Sequence, residues 1–185
     1  MRTTLTIFGL LALVLGVAFL LRRPPAQAEA DTPTNEKGSA PEFPPGTQWL
    51  QSKPLTLASL RGQVVVVHFW TFGCINCVHN YPVYKAWQEK YSDKGVKIVG
   101  VHTPEFANEA DAASIRAKAS ENGLKFAIAV DNDSRIWKTW DNHYWPSIYL
   151  IDKKGRVRYH WDGELHPENA EGRRFASHID ELLAE

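Results

Sequence analysis

Two cysteines occur in the 185-residue chain, Cys74 and Cys77, in the run Cys-Ile-Asn-Cys. Thiols three residues apart on a helix face the same way and can close a disulfide. One of them can attack a partner's disulfide as a thiolate, and the other can then resolve the mixed disulfide. The residues on either side supply the positioning. Val64 to Phe69 is apolar, β-branched and too short for a typical helix, so it reads as a strand buried on both faces. After the cysteines, Val78, Tyr81, Tyr84, Trp87 and Tyr91 recur at the spacing of one packed helical face. The cysteines therefore open a helix, where unpaired backbone amides favour an anion. Cys74 reads as the nucleophile and Cys77, one turn deeper, as the resolving thiol. A helix-end field supplies roughly 0.3 to 2 kcal/mol, at most about 1.5 units of thiol pKa, so other neighbours must contribute.

Other uses of the pair have to be weighed. A static disulfide would close so short a loop that it stabilises little. A metal site could draw on Cys74, Cys77 and His79, but no second cysteine pair completes a closed zinc site. Covalent haem attachment needs His directly after the second cysteine, where Val78 stands.

Lys plus Arg and Asp plus Glu are balanced at 21 each, so the net charge points to no nucleic-acid partner. Seven tryptophans fit a protein that docks on other proteins. Residues 5–21 are almost wholly apolar, long for a signal core and marginal for a membrane span. Ala26-Gln27-Ala28 suits cleavage, whereas Arg22 and Arg23 beside the apolar run suit retention, so residues 1–28 read as a signal peptide or a membrane anchor. Either implies export. Residues 29–47, rich in Ala, Pro, Glu, Thr and Gly, read as a flexible linker, and residues 48–185 as one domain.

Within that domain Trp49 to Leu60 reads as a first strand and turn, followed by the Val64 strand, the cysteine helix and a strand at Val96 to Val101. Lys94-Gly95 ends the helix, so strand, helix and strand form a parallel crossover. A helix over Ala110 to Asn122, a strand over Phe126 to Val130 and a short helix or turn within Asp131 to Asp141 follow. Ser147 to Ile151 and Arg156 to Trp161, with Gly155 in the turn, form an antiparallel hairpin, and Pro167 to Leu183 is a closing helix. The class is α/β, a mixed central sheet with helices on both faces.

Cys-x-x-Cys at a strand-to-helix junction, Pro82 five residues after Cys77, and Pro146 before the hairpin resemble the thioredoxin-like fold. Phe69-Trp70-Thr71, Gly100 to Phe106, Tyr144-Trp145-Pro146 and Leu150-Ile151-Asp152 are similar, more narrowly, to TlpA-like thioredoxins, above all the thioredoxin-like domain of DipZ proteins. The resemblance covers roughly residues 48 to 165. It implies a cis Trp145-Pro146 bond facing the cysteines, Trp70 beside them, and a substrate surface formed by Trp70, Ile75, Asn76 and Trp145, whose ring would narrow or flatten it. It implies an active-site carboxylate as well, assigned to Glu105, which an apolar pocket would suit to proton exchange. His68 stands where thioredoxins carry a buried acid; it either helps with the resolving thiol's proton or is a core histidine satisfied by hydrogen bonds.

The activity implied is that of an exported, periplasmic thiol-disulfide oxidoreductase without bound cofactor or metal, exchanging its dithiol or disulfide with client proteins that carry disulfides or thiols. The Ile75-Asn76 dipeptide does not set the direction of electron flow, and the reading taken is that of a reductant. Electrons would come from a membrane reductase of the CcdA or DsbD kind. The alternative is a thioredoxin-fold copper chaperone holding Cu(I) through Cys74, Cys77 and a third ligand such as His143. A peroxidase would need a separate Thr-x-x-Cys signature, which does not occur.

Overall fold

A computed structural model of the protein describes residues 38–185. Six strands form one mixed sheet: β1 (Gln48–Leu50), β2 (Val64–Trp70), β3 (Val96–His102), β4 (Ala127–Val130), β5 (Ser147–Ile151) and β6 (Val157–Asp162), in the order β1-β4-β3-β2-β5-β6. β2 lies inside, parallel to β3 and antiparallel to β5, and all seven of its residues are buried, as its unbroken apolar run requires. β3 and β4 are parallel, whereas β1 joins β4 antiparallel and β5 pairs with β6 as the expected hairpin.

Alternation along β2 divides the core. Val64, Val66 and Trp70 face α2 (Tyr81–Tyr91), α3 (Ala112–Glu121) and α5 (Ala170–Ala184) through Tyr84, Trp87, Ile115, Phe175 and Ile179. Val65, Val67 and Phe69 face the other way, toward Ile136 of α4 (Arg135–Thr139), Trp140, and Leu57 and Leu60 around a 3₁₀ turn. Helices thus cover both faces, the second more thinly.

That thinner face takes in part of the expected linker. Ser39 bridges to Arg156, the Ala40 amide donates to Gly155 O at 2.9 Å, and Phe43 is buried with its ring 5.2 Å from Trp49 and 6.2 Å from Trp140. The Glu42 carboxylate accepts from the Leu57 and Ala58 amides at 2.5 and 3.0 Å, holding the start of the 3₁₀ turn. Residues 38–47 therefore belong to the domain. Average composition hid one aromatic and one capping carboxylate, and Pro44-Pro45 lower the entropy lost on ordering. The expected leader over 1–28, and residues 29–37, lie outside the described residues.

Three helix boundaries also moved. α3 starts at Ala112 rather than Ala110, because the Asp111 carboxylate accepts from the Ser114 amide at 2.7 Å and caps it. The single helix expected from the cysteines to Tyr91 is split at Asn80 into α1 (Ile75–His79) and α2, because Pro82 has no amide to continue the ladder. The closing helix starts at Ala170 rather than Pro167, since the Asn169 side chain accepts from the Gly172 amide at 2.7 Å and caps it.

Candidate active site

Cys74 is the N-cap of α1, in extended conformation, and its carbonyl accepts from the Cys77 and Val78 amides at 3.1 Å each. Both cysteines are free thiols; Cys74 is partly exposed and Cys77 is completely buried. The Cys74 thiol is pulled down to about 7, first by the hydrogen bond from the Cys77 thiol and then by the Cys77 and Asn76 amides, with partial burial and the Glu105 charge opposing. Burial pushes the Cys77 thiol far up, although the Thr71 amide beside it works in the opposite direction. Two thiols of one motif thus acquire different roles: an accessible sulfur that ionises near neutrality, and a covered one that stays protonated until the outer sulfur is engaged.

The Trp145-Pro146 bond is cis, as expected, and the Trp145 carbonyl lies 3.9 Å from Cys74 Sγ. Pro146 is buried, and its carbonyl accepts from the Gly163 amide at 2.8 Å, tying this loop to the end of β6. The Trp145 indole is a strut between loops: Nε1 donates to Thr103 O at 3.1 Å and the ring packs 4.2 Å from Trp137. Ile75 and Asn76 are exposed beside Cys74. Ile75, Phe106 and Tyr144 are the exposed large hydrophobics of the described residues. They sit on the helix start, on the loop after β3 and on the cis-proline loop, the three segments that contribute Cys74, Glu105 and Trp145.

Three expectations need correction. Trp70 does not reach a substrate surface: it is completely buried, with its ring edge-on to Tyr81, His102 and Phe126 at 6.0, 5.1 and 6.0 Å. Strand alternation puts position 70 on the α2 side with Val64 and Val66, beneath the pair rather than beside it. Glu105 occupies no apolar pocket; its side chain is exposed, although its charge is felt at both thiols. The buried carboxylate is Glu109, 2% exposed, which accepts from Thr71 Oγ1 at 2.8 Å and from the Glu105 and Phe106 amides at 2.7 and 3.2 Å. His68 is completely buried, but neither ring nitrogen has a hydrogen-bond partner. Its ring stacks on Tyr84 at 4.0 Å, and burial pushes it down to about 3, so at neutral pH it is an uncharged core aromatic. It is therefore neither hydrogen-bonded nor connected to Cys77 through a hydrogen bond.

Sequence reasoning missed Asn80 as well. Fully buried at the α1–α2 junction, it donates to Tyr84 Oη and Gly163 O at 3.2 Å each and accepts from the Leu165 amide at 2.7 Å. A polar residue three after the second cysteine and two before a proline was the available signal. His143, the third ligand considered for copper, is exposed and lies 3.5 Å from Asp141. Among the described residues no group of three His, Cys, Asp or Glu side chains is placed to hold a metal ion.

Over residues 38–160 the sequence matches the AhpC/TSA family. The chain belongs to the AhpC/TSA family. Its relatives include DipZ of Mycobacterium tuberculosis, 42% identical over 130 residues, which are 69% of this chain and 19% of DipZ. The chain thus spans about a fifth of the length of that relative. The thiol-disulfide oxidoreductase ResA of Bacillus thuringiensis is 33% identical over 66% of this chain and 68% of ResA. The crystal structure of a thioredoxin-like superfamily protein, 30% identical, superposes with a TM-score of 0.72 over 80% of this chain and 97% of that one. This AhpC/TSA chain has a thioredoxin-like fold, with a Cys-x-x-Cys pair at the carboxyl end of the buried strand β2.

Proposed function

We propose that the protein is an extracytoplasmic thiol-disulfide oxidoreductase that uses Cys74 and Cys77 to reduce disulfides in client proteins. The observation that carries this reading is the split between the thiols, one accessible and pulled down to about 7, the other buried and pushed up. In the forward direction the Cys74 thiolate attacks a client disulfide, forms a mixed disulfide and expels one client thiolate, which takes up a proton. Cys77 then loses its proton and attacks Cys74 Sγ, so the second client thiolate leaves. Two electrons pass to the client, and the Cys74–Cys77 disulfide remains. Ile75, Phe106 and Tyr144 frame the nucleophile with apolar surface suited to a partly unfolded or extended client segment.

The apolar run at residues 5–21 supports a location outside the cytoplasm, with the domain tethered if the leader is retained. A reductant there needs a source of electrons, for which a CcdA- or DsbD-like membrane reductase fits chemically. The test is trapping. With Cys77→Ser, disulfide-linked adducts through Cys74 should accumulate and be released by dithiothreitol; with Cys74→Ser they should be scarce. Equal trapping by both variants would remove the assignment of nucleophile and resolver.

A further inference from the structure

Glu109 makes more contacts around the cysteine pair than a surface-turn residue needs. Its Oε2 takes three hydrogen bonds, from the Thr71 hydroxyl at the end of β2 and from the Glu105 and Phe106 amides. Its Oε1 lies over Gly73, the residue before Cys74, where a Cβ would stand 1.7 Å from that oxygen. Behind Thr71, His102 Nε2 lies 3.3 Å from the same hydroxyl. Because that hydroxyl gives its proton to Glu109, the His102 nitrogen is the donor, and the chain of hydrogen bonds runs toward the carboxylate. Thr71 in turn presents its amide to the Cys77 sulfur. One buried side chain thus joins the end of β2, the turn into α1 and the loop that displays Glu105.

We propose that Glu109 is a positioning residue for thiol exchange, pinning Thr71, the Gly73 turn and the Glu105–Phe106 backbone into one floor, and so fixing where the Glu105 carboxylate stands relative to Cys74. The assignment rests on the reading of the pair as an exchange site. The titratable groups around Cys74 are Cys77 of α1, Tyr81 and Tyr84 of α2 and Glu105 of the loop after β3, and of these Glu105 is the one that Glu109 holds. A negative charge near the sulfur opposes the thiolate, so a released loop lets Cys74 ionise more readily.

The experiment follows Cys74 alkylation against pH in the reduced full-length protein. Glu109→Ala should raise the rate on the acid side of the profile about twofold, the scale of one solvated charge moving away. Glu109→Gln, which can still accept from Thr71 and the two amides, should stay close to the parent. In a Glu105→Gln background, Glu109→Ala should add nothing. Gly73→Ala, whose methyl takes the place of Oε1, should reproduce Glu109→Ala and decides by the same criterion if that variant does not fold. An equal shift in both Glu105 backgrounds, or a Gln variant that departs as far as Ala, overturns the proposal, as does an unshifted Gly73→Ala. If the parent reduced no disulfide while these shifts appeared as stated, the exchange reading would fall and the placement of Glu109 would stand.

Discussion

Cys74 and Cys77 start from the same chemistry and are separated by their surroundings. The outer thiol collects a hydrogen bond from the inner one and from two amides at the start of α1, while the inner loses water on all sides. The alkylation profile of Cys74 should therefore have its midpoint near 7, and Glu105→Gln should move it down, because the carboxylate works against the thiolate. A midpoint unmoved by Glu105→Gln but moved by a change at His68 would shift proton handling onto the strand. His68 should act on stability instead. Below its ordinary value near 6.5 the unfolded chain takes up a proton that the folded chain refuses until about 3, so stability is full above that window and falls as pH falls through it. Replacing it by His68→Phe should remove about 1.4 kcal/mol of slope per pH unit there, measured as denaturant midpoints at neutral and mildly acid pH.

At the scale of elements, the junction between α1 and α2 is decided by Asn80 and Pro82 together. Proline breaks the ladder, and Asn80 uses the break to reach the segment between β6 and α5. Asn80→Ala would leave the buried Leu165 amide without its acceptor, at a cost of about 1 to 3 kcal/mol. Urea unfolding checks the magnitude; a loss below a few tenths of a kcal/mol would mean that the segment finds another partner. The variant should also loosen the cysteine helix, since α1 ends at Asn80.

Across the whole molecule, the face of the sheet opposite α2 is the vulnerable one, covered by the short α4, a 3₁₀ turn and residues 38–47. A chain beginning at residue 48 should be less stable than one beginning at 38 by about 3 to 5 kcal/mol, the scale of a lost buried aromatic. Phe43→Ala should account for most of that difference, with the Glu42 cap contributing about 1 kcal/mol. Equal urea midpoints for the two chains would show that this packing carries no stability.

Much of the molecule was legible in the residues because the signals were local. An unbroken β-branched run reads as a covered strand and a Cys-x-x-Cys at its end opens the following helix, while the resemblance to thioredoxins, not the local pattern, implied that the proline before the hairpin meets the pair; β2, α1 and the Trp145-Pro146 bond lie accordingly. What the residues alone did not decide is which carboxylate is buried, what each tryptophan packs against, and that residues 39–47 belong to the packed domain. Glu105 and Glu109 are four residues apart in one polar loop, and only the approach of Thr71 and Gly73, more than thirty positions earlier in the chain, buries one and leaves the other in water. Trp70 and Trp145 are both aromatic neighbours of the motif, and their environments follow from strand alternation and from Thr103 and Trp137 across the sheet. Pattern and propensity act over a few residues, whereas burial and electrostatic environment are set by segments that meet only when the sheet is assembled.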